Sequence, residues 1–376
     1  MQEGHIDVET FLLEIPYLVT TRVKAALKKW GKTFSVETQI ENLQLSALWD
    51  HLPDTFKTNL ESLKTGGTLD ITLKAKGSLP VNAQEGDGPK IIIPPKPLWA
   101  QLLLPDNINN KTPVEIESEI KIQNGFLNDP EKSFSAEKLN AKTRMTFKNG
   151  RADLRGSFSA KLEGLTENPL YPEFDYHYAL DDLNILRINQ HQLILRDNGV
   201  QHSLEGYLKG FKPFITGQRP IHPDEILNRL NIQLANTNTI DLSQATEELS
   251  GDLKAKGIIE SKIKFHQSAG KTLKLHGSLK FDKLSLQLPS GMALENLNGT
   301  FPFTKSLQLD PEQMQKQTHD FFPAQKKFFT SLRNFSRYKN IIRADSLEIK
   351  GQLLRDIGLD VVFKDNTLMA EKFIFD

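Results

Sequence analysis

Strict two-residue alternation of apolar and polar side chains, renewed along the whole chain, limits its possible folds more than any other feature. In GGTLDITLKAKGSL, Leu69, Ile71, Leu73 and Ala75 fall on one side and Asp70, Thr72, Lys74 and Lys76 on the other. VEIESEIKI sets Val114, Ile116, Ile120 and Ile122 together, and KLNAKTRMTF does the same with Leu139, Ala141, Met145 and Phe147. ADLRGSFSAKL follows an Asn149-Gly150 hairpin signal and carries Ala152, Leu154, Phe158, Ala160 and Leu162. FDYHYAL continues the pattern with Phe174, Tyr176, Tyr178 and Leu180. So do DLKAKGIIESKIKF (Leu253, Ile263, Phe265), TLKLHGSLKF (Leu273, Leu275, Leu279, Phe281) and LSLQL (Leu284, Leu286, Leu288). Each such strand has one apolar and one wet face, as in antiparallel sheets. A sheet of them must cover its apolar face with a second layer or curl around something. The expected fold is mainly β with a few helices: an elongated, curled antiparallel β-sheet forming an apolar groove.

Interruptions divide the chain. Residues 1–65 read as an opening strand followed by helices at Ile15–Trp30 and Trp49–Leu63, each with an apolar side. Residues 66–310 form the long sheet region. It is broken by a proline- and glycine-rich surface loop at 80–100 and a partly helical insert near 222–249. Residues 311–340 are the most aromatic segment and read as two helices divided at Pro323, and 341–376 return to strands. Glycine recurs inside alternating phrases, in LKAKGSL, DLRGSFS, DLKAKGI, LKLHGSL and LEIKGQL, where it marks a bulge or a bend. The first residues lack the basic start and apolar core of a signal peptide, and AEKFIFD stops inside a strand. Both ends read as cuts in a longer chain.

Charge and composition exclude several kinds of function. Lysine plus arginine equals aspartate plus glutamate at 47 each, so the basic excess of a nucleic-acid binder is missing. No cysteine is present, which removes disulfides, thiolate catalysis and cysteine-ligated metals. FHQSAGKT (265–272) ends like a phosphate-binding loop, but Phe265 stands where glycine is needed and a strand follows instead of a helix. His177 lies near Asp175, Asp181 and Asp182; that cluster reads either as a metal site or as a solvated strand face. No zinc-protease spacing and no nucleophile elbow occurs. No catalytic residue, metal or cofactor is therefore expected.

Two stretches resemble a known family. GSLKFDKLSLQLPSGMALENLNGTFPF (277–303) is similar to the strand, short turn and "l-nlnG-i-f" strand of AsmA-like proteins, TamB and YhdP among them. RADSLEIKGQLLRDIGLDVVFKDNTLMAEKFIFD (343–376) is similar to the C-terminal region of the same family, ending short of its glycine-rich step. The resemblance is clearest over roughly the last 130 residues. It implies a bridge-forming lipid-transport protein of the Gram-negative envelope, anchored in the inner membrane by an N-terminal helix outside this chain. It also implies a β-groove crossing the periplasm, lined with apolar side chains, and docking partners among envelope proteins.

The expected lipid-lining residues are Leu69, Ile71, Leu73, Val114, Ile116, Ile120, Leu139, Met145, Phe147, Leu154, Phe158 and Leu162. Leu253, Ile263, Phe265, Leu275, Leu279, Phe281, Leu286 and Leu288 extend the row. Phe321, Phe322, Phe328 and Phe329 read either as core packing or as a gate over the groove. The expected ligand is a phospholipid or other acyl lipid, with affinity of about 0.8 kcal/mol per buried CH₂. The rival reading is a structural or interaction β-protein of the envelope whose sheet closes on its own core and carries no lipid.

Overall fold

The computed structural model describes residues 6–15, 19–28, 33–51, 62–78, 114–165, 168–215, 229–245, 254–270, 272–288, 291–307, 340–349, 351–364 and 367–374. They are mainly β, antiparallel throughout, with a few short helices, as the alternation requires. The chain divides into two compact units, the first of residues 1–165, 175–184 and 212–218 and the second of 166–174, 185–211 and 219–376.

The first unit contains β1 (Ile6–Ile15), β2 (Val19–Lys28), β3 (Thr33–Gln44), α1 (Leu45–His51), β4 (Lys64–Ser78), β5 (Glu115–Asp129), β6 (Phe134–Lys148) and β7 (Arg151–Glu163). It also holds most of β8 (Pro172–Asp181) and the single-turn helix α2 (Lys212–Ile215). From β1 to β7 each strand pairs with the next in sequence, an open meander. The β6–β7 connection is the two-residue Asn149-Gly150 turn, both residues left-handed (φ 52° and 76°) with Lys148 opposite Arg151.

The second unit is built from β9 (Ile185–Leu195), β10 (Val200–Lys209), β11 (Asn231–Asp241), α3 (Leu242–Ala245), β12 (Lys254–Gln267) and β13 (Leu273–Gln287). β14 (Ala293–Leu307), β15 (Asn340–Ile349), β16 (Gln352–Lys364) and β17 (Thr367–Ile374) complete it, again as a meander of neighbours. Gly270 and Thr272 of the phosphate-loop lookalike fall between β12 and β13.

Three helical expectations need correction. Ile15–Trp30 is not a helix: Ile15 ends β1, and Val19–Lys28 is β2. Val19, Val23 and Leu27 fit both periods, and the β-branched Val19, Thr20, Thr21 and Val23 settle the contest for a strand. The segment near 222–249 contains an 11-residue strand, β11, with only the one-turn α3 after it. The helix expected at Trp49–Leu63 starts earlier, at Leu45, and residues 52–61 lie outside the described residues. The loop at 80–100 and residues 311–339 of the aromatic segment also lie outside them.

Bulges recur with one construction. Asn42 (φ 55°), Asn124 (φ 48°) and Lys283 (φ 51°) each stand where the register slips by an extra residue. The amide displaced from the ladder donates instead to a side chain on the neighbouring strand. Asn42 donates to Asp70 Oδ1 at 2.8 Å, Asn124 to Asn140 Oδ1 at 3.1 Å and Lys283 to Asn298 Oδ1 at 2.9 Å. Such bulges bend and twist a strand while returning the following apolar residues to the same face. Asp70→Ala is therefore expected to lose about 1 kcal/mol in a denaturant titration, and Asp70→Asn, which keeps the acceptor, to recover most of it.

Candidate functional site

Register carries the alternation from strand to strand. In the first unit Leu43 pairs with Leu69, Leu69 with Ile122, Ile71 with Ile120, and Ile116 with Phe147. Met145 stands opposite Ser118 and Leu154, Phe158 opposite Ala141, Leu162 opposite Ala136, and Leu139 opposite Gly125. The expected residues of this unit thus share one face. In the second unit Phe265 pairs with Leu275, Ile263 with Gly277, Leu279 with Ser261 and Phe281 with Ile259, while Leu286 meets Ala255 and Leu294. Leu288 lies just past β13 and is exposed. Leu253 and the four gate phenylalanines, Phe321, Phe322, Phe328 and Phe329, fall outside the described residues.

On the middle strands β4, β5 and β6 this face is open. Leu73 is 38% exposed, Ile120 40% and Met145 38%, although paired strands flank each of them. A second layer packed on the sheet would bury such residues. Val114, just ahead of β5, and Ala136 of β6 are buried, at 5% and 3% exposed. The face also includes Tyr176 and Tyr178 of the alternating FDYHYAL stretch, and Val36 and Ile40 of β3, a strand the sequence pattern did not single out. The tyrosine rings stack with centroids 5.6 Å apart, and the Tyr176 hydroxyl lies 2.5 Å from Thr143 Oγ1.

The opposite face is a ladder of ion pairs. Lys74 meets Glu37 at 3.0 Å, Lys76 meets Glu115 at 2.8 Å and Lys148 meets Glu115 at 2.7 Å. Lys121 and Lys142 share Glu119, and Arg144 pairs with Glu117. The ammonium of Lys148, then that of Lys76, holds the Glu115 carboxyl below its usual range, and Lys121 chiefly does the same for Glu119. A hollow of about 320 Å³ lined by Glu37, Lys74, Glu115, Glu117 and Lys148 belongs to this ladder, so its charges are already partnered. Exposed pairs of this kind add little stability each. Their consequence is to keep this side of the sheet in water.

The His177 cluster belongs to the same ladder. His177 Nε2 lies 2.8 Å from Asp153 Oδ2, Arg155 donates to Asp153 Oδ1 at 2.8 Å, and Arg151 pairs with Asp181 at 3.3 Å. Burial pushes the Asp153 carboxyl up, but hydrogen bonds from His177 and then Arg155 outweigh it and leave the group below its ordinary value. Among the described residues no group of three or more His, Asp or Glu side chains is placed to hold a metal ion.

Glycine has a second use here besides bulging. A Cβ at Gly66 would strike the Phe126 ring, one at Gly156 the Tyr176 ring and the Lys142 carbonyl, and one at Gly277 the Phe303 ring. At Gly156 and Gly277 the rings lie over bare backbone on the apolar face, which widens that surface without adding height, while Gly66 and Phe126 lie on the reverse face. Of the five glycine phrases, DLKAKGI alone lies at a register slip, where Gly257 (φ 109°) faces the Lys283 bulge of β13. Compared with known proteins, the chain matches no family model and no curated protein.

Proposed function

We propose that this chain is a piece of an AsmA-like, bridge-type lipid-transport protein. It holds phospholipid acyl chains on the apolar sheet face and passes them between inner and outer membranes of a Gram-negative envelope. The observation that carries the reading is the pairing of two unlike faces on the same strands. Leu73, Ile120 and Met145 stand open to solvent at the middle of the first unit's sheet, while the reverse side is closed by ion pairs. Acyl chains laid on such a face gain about 0.8 kcal/mol per buried CH₂ without any polar recognition. A head group stays in water beside an open sheet, so tails can shift along the strands with little barrier. The family resemblance at 277–303 and 343–376 supports the same reading and supplies the periplasmic location and the inner-membrane anchor.

Native mass spectrometry of the chain purified from bacteria, followed by lipid extraction, tests it. One or more phospholipids per chain is the expected result, and the extract names the cargo. A bare mass that stays unchanged after lipid is added overturns the proposal in favour of a β-protein with a closed core and a protein partner.

A further inference from the structure

The apolar face of the second unit is interrupted on β10 and β11. His202 stands in the β10 row between Val200 and Leu204, opposite Asn238 of β11, and Asn236 lies two residues away opposite Leu204. His202 Nδ1 is 2.7 Å from Asn238 Oδ1, and Asn238 Nδ2 donates to Asn236 Oδ1 at 2.6 Å. From β9 the His191 ring meets the His202 ring edge-on with centroids 5.4 Å apart, and Phe174 meets His191 edge-on at 4.9 Å. All four polar side chains are half-buried. Valine at each position would bury more apolar area and cost no desolvation of polar groups. Packing alone gives no reason for imidazoles and carboxamides in this row.

Their arrangement does give one. His202 Nδ1 lies 2.7 Å from Asn238 Oδ1 and 3.4 Å from Asn236 Nδ2, so both carboxamides meet the ring at one nitrogen and leave Nε2 for an outside partner. Among the described residues Nε2 has no hydrogen-bond partner. Burial, and then the neighbouring His202, hold the His191 imidazole below its ordinary range. Two imidazolium rings at this separation repel unless an anion lies beside them.

We propose that His191, His202, Asn236 and Asn238 form a polar station that takes the phosphate of a lipid head group while its acyl chain lies along the flanking apolar rows. This assignment rests on the lipid-carrying reading above. Binding is then coupled to proton uptake, because the phosphate compensates the second imidazolium. Register and ring contacts set Asn236 and Asn238 from β11, Ser261 from β12 and Phe174 from β8 against the pair. Arg187 and Glu205 lie on the reverse side of their strands.

Three probes decide the matter at pH 5.5 and 8.0: lysophosphatidylglycerol below its micellar threshold, a monoacylglycerol of the same chain length, and inorganic phosphate. The phosphodiester stays ionised across this range, so any pH effect belongs to the protein. Lysophosphatidylglycerol is expected to bind about tenfold tighter at pH 5.5, equivalent to a one-unit rise in one imidazole pKa. Monoacylglycerol should bind equally at both. His191→Gln and His202→Gln should remove the pH effect and leave monoacylglycerol affinity intact, which also shows that the sheet is folded. A pH effect that survives in both variants, or its absence in the wild type, overturns the station. If neither lipid binds at either pH, the lipid-carrying reading fails. Inorganic phosphate then decides the station separately: histidine-dependent binding keeps it as a free-anion site, and no binding removes it.

Discussion

Aspartate in place of Ile120 is expected to release most of the lipid that co-purifies with the chain, without unfolding it. Ile120 lies on β5 between β4 and β6 and is 40% exposed, so its carboxylate can reach water when no ligand is bound. An acyl chain laid across the same spot would desolvate that charge, at a cost of several kcal/mol. Each 1.4 kcal/mol is tenfold in affinity, so bound phospholipid should fall roughly tenfold or more. Leu279→Asp combined with Phe281→Asp makes the same test on the second unit, where both residues share the face with Phe265 and Leu275. Ser157→Asp is the control. Ser157 lies opposite Lys142 on the ion-paired face, so a carboxylate there adds a partner to the ladder and should leave bound lipid unchanged. Lipid extraction from the purified variants, with circular dichroism to check the fold, reads the outcome. Equal lipid in Ile120→Asp and Ser157→Asp would remove the apolar face from the mechanism.

Much of this face was legible in the sequence, and where it was not, the reason is physical. Alternation assigns side chains to faces, so Leu69, Ile71 and Leu73 were read correctly from their spacing alone. Register is a property of the neighbouring strand, so nothing in the sequence around Asn42 announces that Asp70 will take its amide. The Val19–Lys28 stretch satisfies two periods at once, and only its β-branched residues favour the strand. β11 failed for a more informative reason. Its inward row reads Ile232, Leu234, Asn236, Asn238, Ile240, and the two asparagines break the apolar pattern by which a strand is recognised. The residues that hid this strand are the ones that build the polar station with His191 and His202. If acyl chains lie along a monotonous apolar face, as proposed, departures from the pattern are where specificity has to be sought.

The glycine seats set the second large effect, this time on stability. Gly156→Ala would place a Cβ 2.3 Å from the Lys142 carbonyl oxygen and 2.5 Å from the Tyr176 hydroxyl. The first obstacle is backbone of the adjacent strand, so β6 and β7 must separate locally and the Tyr176–Thr143 contact is lost with them. Overpacking against backbone falls at the upper end of the usual 1–3 kcal/mol, and about 3 kcal/mol is expected here. Gly277→Ala meets only the tip and flank of the Phe303 ring, at 2.3 to 2.8 Å, and a side chain can rotate where a strand cannot. Its cost should be smaller, near 1 kcal/mol. Phe303→Leu should also rescue Gly277→Ala in a double-mutant cycle, since the shorter side chain vacates the seat. No substitution at Tyr176 should fully rescue Gly156→Ala, because the Lys142 carbonyl remains. Chemical denaturation of the four variants measures this ordering, and a Gly156→Ala protein as stable as wild type would show that the strands do not approach so closely. Confirmation would tie the two faces together. At Gly156 the Tyr176 ring and the Lys142 carbonyl of the neighbouring strand crowd the same spot, so there widening the surface and tightening the sheet depend on one missing side chain.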